Sequence, residues 1–433
     1  MMIFTRFMLI TSIIAINLLA IPIHSEPLLS LEQISGFGMD TQGGEHGSII
    51  KVTNTNNQGE GSLRWAVSQP GKRLVVFEVG GVIDLQKQTL KINTPYLTIA
   101  GETAPPPGIT LIRGGIKITS HDIRIRHLAV RPGDNNEAKR SGWAPDAIGA
   151  SGRSAYNIHI DHCSATWAID ENMSASGPRD KGHEFTAKKI TFSNSIIAQA
   201  LDNATHKKGK HSKGLLIHDF IEDIAIIGNL FAHNDRRNPY FKGSSSGVVV
   251  NNLMYNLGNA AVQLGFVNDE FTHSAFEPDN PKVTVIGNKL IYGNSSYSDL
   301  PLVAYQGNVF MQDNQVINLD GEPMPQVHGA INLLSAPPLW PNGLIAIPVK
   351  TLEDRILAQV GARPWDRDPI DQRIINSVKQ RGGNIIDSQN EVGGYPNYAT
   401  THRSLTVPDN NQNTEAIRQW LLTFTKVNEY VSP

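Results

Sequence analysis

The chain has 433 residues, a formal net charge of −2 at pH 7 and 40% hydrophobic residues, enough to build a large core. Near-neutral charge argues against nucleic acid as a partner, which calls for a strongly basic surface. A single cysteine, Cys163, excludes an intramolecular disulfide framework, so stability must come from packing and hydrogen-bond ladders.

The first segment is a targeting signal rather than part of the fold. Met1 to Arg6 forms a short positive stretch, 7–23 is apolar, and Ser25 is a small residue suited to cleavage. Residues 1–25 are therefore expected to be a secretory signal peptide. The product is expected to be secreted, extracellular or periplasmic, with no membrane attachment once the signal is removed. Residues 26–433 are expected to form one domain despite their length, because strand repeats override the usual residue count per domain. A monomer is expected.

The glycine-rich stretch 36–44 is no phosphate cradle, since no strand precedes it and no helix follows at the required spacing. Residues 59–68 read as one amphipathic helix opened by Ser62, placed to cap the N-terminal end of the fold. Stretches 74–79, 82–83 and 97–99 read as the first strands.

A frame of alternating apolar residues ending in His or Asn then recurs. It runs Asp122-Ile-Arg-Ile-Arg-His127, Asn157-Ile-His-Ile-Asp-His162 and Lys189-Ile-Thr-Phe-Ser-Asn194. It returns with one extra residue as Asp223-Ile-Ala-Ile-Ile-Gly-Asn229, reverts at Gly247-Val-Val-Val-Asn-Asn252, and recurs from Lys282 to Asn288 and from Asn308 to Asn314. The start-to-start spacings are 35, 32, 34, 24, 35 and 26 residues. Alternation means a strand with one face buried. Such strands, without a helical crossover between them, share a core only when stacked as a parallel solenoid. The fold class is therefore all-β: a single-stranded parallel β-helix, right-handed as parallel crossovers are. The terminal Asn suits a left-handed bend, and stacked Asn side chains suit an internal ladder.

Polar excursions at 131–146, 174–184 and 202–212 read as loops on one flank. The last holds His206, Lys207, Lys208, Lys210 and His211, which read mostly as a solvated loop. After Leu352 the spacing turns helical at 352–360 and 369–378. The C-terminal region, about 350–433, is expected to pack against the solenoid.

Two carboxylate groups stand out, Asp146 and the pair Asp170-Glu171. Asp170 lies eight residues after His162 and Arg237 eight after Asn229. Asp146 lies nineteen after His127 and Lys213 nineteen after Asn194. Equal offsets stack on one flank of a solenoid, so these residues are expected to line a cleft with anionic and cationic halves. That combination suits an anionic substrate bridged by a hard cation with oxygen ligands. His162 and Cys163 point to opposite faces of a strand and read as core rather than a catalytic pair. A hydrolase is disfavoured because no close carboxylate trio stands out.

At these residues the chain resembles polysaccharide lyase family 1 of the pectate lyase superfamily. The matching stretches are Pro145-Asp-Ala-Ile148, Ile160-Asp-His-Cys-Ser164 with Asp170-Glu171-Asn172, His211-Ser-Lys213-Gly and Arg237-Asn-Pro239. Gly61-Ser-Leu-Arg64, Ala362-Arg-Pro-Trp365 and the stretch from Ile386 to Gly394 add to them. The resemblance implies a Ca²⁺-dependent secreted enzyme that cleaves α-1,4-polygalacturonate by β-elimination. It implies that Asp146, Asp170 and Glu171 bind Ca²⁺, Lys213 and Lys242 bind substrate, and Arg237 is the base. Ala144 and Ser174 stand where the family usually has acids, and Lys242 where it has a second arginine. A lyase for methylated pectin or another uronate polymer, and a non-catalytic polysaccharide-binding β-helix, are the competing expectations.

Overall fold

The computed structural model describes residues 35–408 and 413–425. The expected signal peptide lies outside the described residues.

Each turn of the chain contributes a strand to each of three parallel sheets. The first sheet runs from Ser48–Val52 through Arg73–Phe77, Leu97–Ala100, Ile123–Arg126, Tyr156–Asp161, Lys188–Ser193, Glu222–Ile227 and Ser246–Val250 to Lys282–Ile286. The second stacks Val79–Asp84, Ile109–Ile112, Leu128–Arg131 and short strands such as Ser164–Thr166 and Leu230–Ala232. The third stacks Leu90–Ile92, Ile116–Ile118, Ile148–Ser151, Glu171–Ser176, Lys213–Ile217, Tyr240–Phe241 and Val262–Leu264. The ten-residue strand Val303–Gln312 pairs with both Val262–Leu264 and Lys282–Ile286, closing the corner between third and first sheets. This is the parallel β-helix that the repeats imply. Its core is a column of Ile, Val, Leu and Phe side chains, fully buried between the sheets, each worth about 1.5–3 kcal/mol of transfer free energy.

The register corrects the repeat frame in one respect. Ile190 pairs with Ile224 and Ile224 with Gly247, so the frame at 247 begins at Ser246 and no residue is inserted at 223–229. Every copy has seven residues because two consecutive positions share the end of the strand. The first takes the left-handed bend: His127 (φ 56), His162 (φ 46), Asn194 (φ 47), Gly228 (φ 69) and Asn251 (φ 53). The second carries the internal ladder. The Asn229 amide donates to Asn252 Oδ1 at 3.0 Å, Asn252 to Asn288 Oδ1 at 3.0 Å, and Asn288 to Asn314 Oδ1 at 3.1 Å. Ser195 continues it one coil earlier, its backbone N–H donating to Asn229 Oδ1 at 2.9 Å. Buried amides satisfied this way avoid the cost of orphaned polar groups.

Alternation is clean at Ile123–Arg126, where arginines face outward, but fails at Lys188–Ser193 and Glu222–Ile227, whose outward residues Thr191 and Ala225 are also buried. The cover is the glycine-rich stretch. Gly38 N–H donates to Thr191 Oγ1 at 3.0 Å and Gly44 N–H to Thr98 Oγ1 at 2.9 Å. A Cβ at Gly38 would lie 2.1 Å from the Ile158 carbonyl oxygen, so only glycine allows this approach. Phe37, Trp340 and Leu344 extend the cover over Ala225 and Val248.

The predicted N-terminal helix is Leu63–Ser68, its Ser62 cap accepting from Trp65 N–H. Helices Leu352–Gln359 and Pro369–Lys379 pack on the outer face of the second sheet, burying Ile196, Leu230, Ile356 and Ile374. Arg131, fully buried, anchors the second of these helices through Asp368 at 2.8 Å and Asp371 at 2.8 Å. A further helix, Thr414–Leu422, within the C-terminal region expected to pack on the solenoid, places Leu421 against Leu74 and Val76 of the first sheet. With two outer faces covered, the third sheet is the one left to carry a site.

Candidate active site

The candidate residues sit where loops re-enter the third sheet. Ile148 pairs with Met173 and Glu171 with Lys213, and Lys213 forms an isolated bridge with Arg236. Asp146, Glu171, Lys213 and Arg236 thus mark the start of successive coils, acidic on two and basic on the next two. Asp146 and Lys213 share a level, as their equal offsets imply, but Asp170 and Arg237 do not: Asp170 lies one residue before that level and Arg237 one residue after it. The excursion after the Asp170 segment also begins later than expected, because Ser174 lies inside strand Glu171–Ser176.

Asp146, Asp170 and Glu171 bring one carboxylate oxygen each within 4.8 Å of one another. A close carboxylate trio therefore exists, contrary to the sequence expectation that disfavoured a hydrolase; the loop between strand Leu128–Arg131 and Asp146 hid it. Glu171 N–H donates to Asp146 Oδ1 at 3.1 Å, and Ser174 Oγ–H donates to Asp146 Oδ2 at 2.9 Å. Burial, then the negative charge of Asp170, push the Asp146 carboxyl up to about 7. Burial also acts on Asp170, but His211 outweighs it and holds that carboxyl below its ordinary range. The set is all hard oxygen and carries crowded negative charge, which fits a cation such as Ca²⁺.

The cationic half closes over it. The Arg237 guanidinium is ion-paired with Glu171 and lies 5.9 Å from the Tyr240 ring centroid. Arg237 itself adopts the left-handed region (φ 60), where the chain turns out of the coil. Burial pulls its pKa below the usual arginine range, against the opposing pull of Asp170, Tyr240 and Asp146. Lys213, 7% exposed, has Nζ 3.8 Å from Asp235 Oδ2, and burial pulls its ammonium below its ordinary range. Arg236 is the more exposed of the arginine pair, 3.3 Å from Asp235.

Lys242 is not gathered into this cluster. Its ammonium is 3.3 Å from the buried Asp219 and also pairs with Glu270. Residues the sequence reading missed include His211, whose Nε2 lies 2.9 Å from Asp170 Oδ1 and donates to it. Its ring stacks on His206 with centroids 3.8 Å apart and an interplanar angle of 2°. Both histidines are buried, whereas Lys207, Lys208 and Lys210 between them are exposed. The signal was there in residue type: two histidines inside a lysine run. Cys163 is core, as expected, whereas His162 is half-buried at the left-handed bend rather than in the core. His162 bonds Asp161 at 2.8 Å, and burial pushes the Cys163 thiol up to about 12, so it is no nucleophile.

No protein-family model matches the chain. Among known proteins it is similar to a probable pectate lyase C of Aspergillus oryzae, 35% identical over 392 residues, covering 88% of this chain and 84% of that protein. It is similar to a probable pectate lyase C of Emericella nidulans, 30% identical over 376 residues, covering 85% and 80%. Among solved structures, that of jun a 1, the major allergen from cedar pollen, matches with a TM-score of 0.55 at 18% identity, over 75% of this chain and 91% of that one. The structural likeness concerns the fold; the sequence likeness bears on the family.

Proposed function

The chain belongs to the pectate lyase family, and we propose that it cleaves polygalacturonate by β-elimination with Arg237 as base and Ca²⁺ as cofactor. The observation that carries this reading is the pairing of a three-carboxylate cluster with Lys213 and Arg237 on consecutive coils of one sheet.

Asp146, Asp170 and Glu171 would hold the cation. Bound there, Ca²⁺ supplies positive charge against the substrate's uronate carboxylate, which makes the adjacent C5 proton more acidic. Lys213 pairs with the same class of group, its ammonium held at the foot of the cleft and partly dehydrated, where charge pairing is stronger than in water. Arg237 in its neutral form takes the C5 proton. The C5–H electron pair becomes the C4–C5 double bond, the C4–O4 bond breaks, and O4 leaves with a proton from solvent. An arginine base needs its pKa lowered, and burial supplies part of that. The carboxylate trio alone would also suit glycoside hydrolysis; the relatives favour elimination.

We read residues 26–433 as one catalytic unit acting as a secreted monomer on the anionic polymer. No helix among the described residues is long and apolar enough to cross a membrane. The test is ultraviolet absorbance of unsaturated uronide formed from polygalacturonate, with Ca²⁺ and with chelator. Activity that chelator abolishes and that Arg237→Ala removes is expected. Chelator-insensitive cleavage, or release of saturated products only, would overturn it.

A further inference from the structure

Four ionic side chains next to the site form a closed quartet. Asp219, fully buried, takes Arg179 Nε at 3.1 Å and lies 3.3 Å from Lys242 Nζ. Glu270 takes Arg179 Nη2 at 2.9 Å and pairs with Lys242. Two cations and two anions sum to zero. The neighbouring His218 adds no charge, because burial pulls its imidazole down to about 4.

The four are not equivalent. Asp219 and Lys242 are buried and Arg179 is a quarter exposed, whereas Glu270 is the outermost at 36%. Asp219 is also fixed by the Gly243 N–H at 2.9 Å. Glu270 comes from the short turn Asn268–Phe271, and the next residue anchors that turn without its help. Phe271 packs edge-to-face on Phe220 and Phe266 at 6.1 and 6.3 Å, with the Arg179 guanidinium 5.6 Å from its ring. Without the Glu270 carboxylate the remaining three carry one net positive charge. That is a charge that one carboxylate would balance, beside a turn that Phe271 holds in place. It adjoins the catalytic cluster, since Lys242 lies two residues beyond Tyr240, the ring beside Arg237.

Resting on the pectate reading above, we infer that Arg179 and Lys242 form a carboxylate seat for the polyuronate chain, and that Glu270 fills it in the free protein as a built-in competitor. The substrate displaces Glu270 when a free uronate carboxylate arrives. A methyl-esterified residue, having no charge to exchange, does not displace it. Glu270 therefore weakens the hold on unesterified polymer, the form that gains from its removal.

The experiment uses the full chain with Glu270→Gln and, separately, Glu270→Ala, with thermal unfolding to show that each is folded. The assays are KM and kcat on polygalacturonate with Ca²⁺, and calorimetric binding of trigalacturonate with Ca²⁺ withheld so that no turnover occurs. Removing a partly exposed competing charge is expected to lower KM and tighten oligomer binding about three- to tenfold, with kcat within about twofold. Adding Lys242→Met to Glu270→Gln is expected to reverse the gain. If Glu270→Ala is poorly folded, Glu270→Gln alone decides. Unchanged or raised KM in a folded Glu270→Gln protein, with wild type active, would overturn the seat and leave the pectate reading standing. Wild-type protein that neither cleaves nor binds the polymer would overturn both.

Discussion

Replacing Ser174 by aspartate would put a fourth carboxylate into the proposed cation site. Ser174 is 4% exposed and its hydroxyl donates to Asp146 Oδ2 at 2.9 Å, so the new group arrives inside the cluster. Two unit charges about 4 Å apart interact by about 4 kcal/mol in partly buried surroundings, and a divalent ion gains roughly twice that. Against this stand about 4 kcal/mol of repulsion from Asp146 and about 1 kcal/mol for the lost hydrogen bond. About 3 kcal/mol remains, and solvent at the part-exposed Asp170 halves it, leaving about 1.5 kcal/mol, or tenfold tighter Ca²⁺ binding. Without metal the repulsion is unopposed, and burial, then the charge of Asp170, already hold Asp146 at about 7. The assay is a calorimetric Ca²⁺ titration at about pH 8, where the carboxylates are ionised, with melting curves recorded with and without Ca²⁺. The expected result is a tenfold lower Kd, a lower melting point without metal and a wider gap between the two curves. A Kd that is unchanged or weaker, in a folded protein, would show that the ion does not sit among these three carboxylates.

Other outcomes follow from the same geometry. Burial lowers the Arg237 pKa, but from a value far above neutral, so the neutral base gains about tenfold per pH unit and kcat should rise on the alkaline side; a maximum near about pH 5 would refute an arginine base. Asp146 is raised to about 7, so below that pH its protonated form is favoured in the folded, metal-free chain; Ca²⁺ affinity should fall about tenfold per unit below it, and a Kd flat from about pH 5 to 8 would refute it. His211→Ala removes the 2.9 Å bond that orients Asp170 and should weaken Ca²⁺ binding about 10- to 100-fold by calorimetry, with His211→Asn recovering part; equal Kd values would assign His211 a packing role only. Asn252→Leu orphans the Asn229 amide, which donates to it at 3.0 Å, and the Ile226 carbonyl, which accepts from it at 2.9 Å; a loss of about 2–4 kcal/mol in urea unfolding is expected, and less than about 1 would contradict the ladder.

The first sheet was the readable one. Its strands run four to six residues, long enough to show alternation, and from Ile123–Arg126 to Lys282–Ile286 each ends at a bend that selects His, Asn or Gly for a left-handed backbone. The second sheet is built largely from triplets such as Ser164–Thr166 and Ile196–Ala198, too short to show a period. The third is obscured in another way. In Glu171–Ser176 five of six residues are buried, polar and apolar alike, because metal-type ligands and loop contacts occupy the outer face. Counting offsets from the readable sheet reached Asp146, Lys213 and Arg237. It could not say that Glu171 stands level with Lys213, because two loops of different length separate each from its reference strand. Lys242 shows the other limit. Its partners Asp219 and Glu270 lie 23 residues before and 28 after it, and only the stacking of coils joins them.

The placement of the site follows from what a solenoid holds constant. Loop length varies from coil to coil, but the first residue of each third-sheet strand is pinned by backbone pairing at about 4.8 Å from its neighbour. Glu171 and Lys213 are the first residues of their strands, Asp146 lies two residues before Ile148, and Arg237 three before Tyr240. The junctions form a column whose charge changes sign once, between Glu171 and Lys213. At that boundary the acidic half draws a cation and the basic half draws a carboxylate, so an anionic polymer can meet both at one point along its length. Arg237 reaches back across the boundary to Glu171, which keeps it protonated while the two are paired. A cation that claimed Glu171 would remove that partner. The residue most exposed to the change would be the proposed base, which ties the metal requirement to the proton transfer through a single side chain.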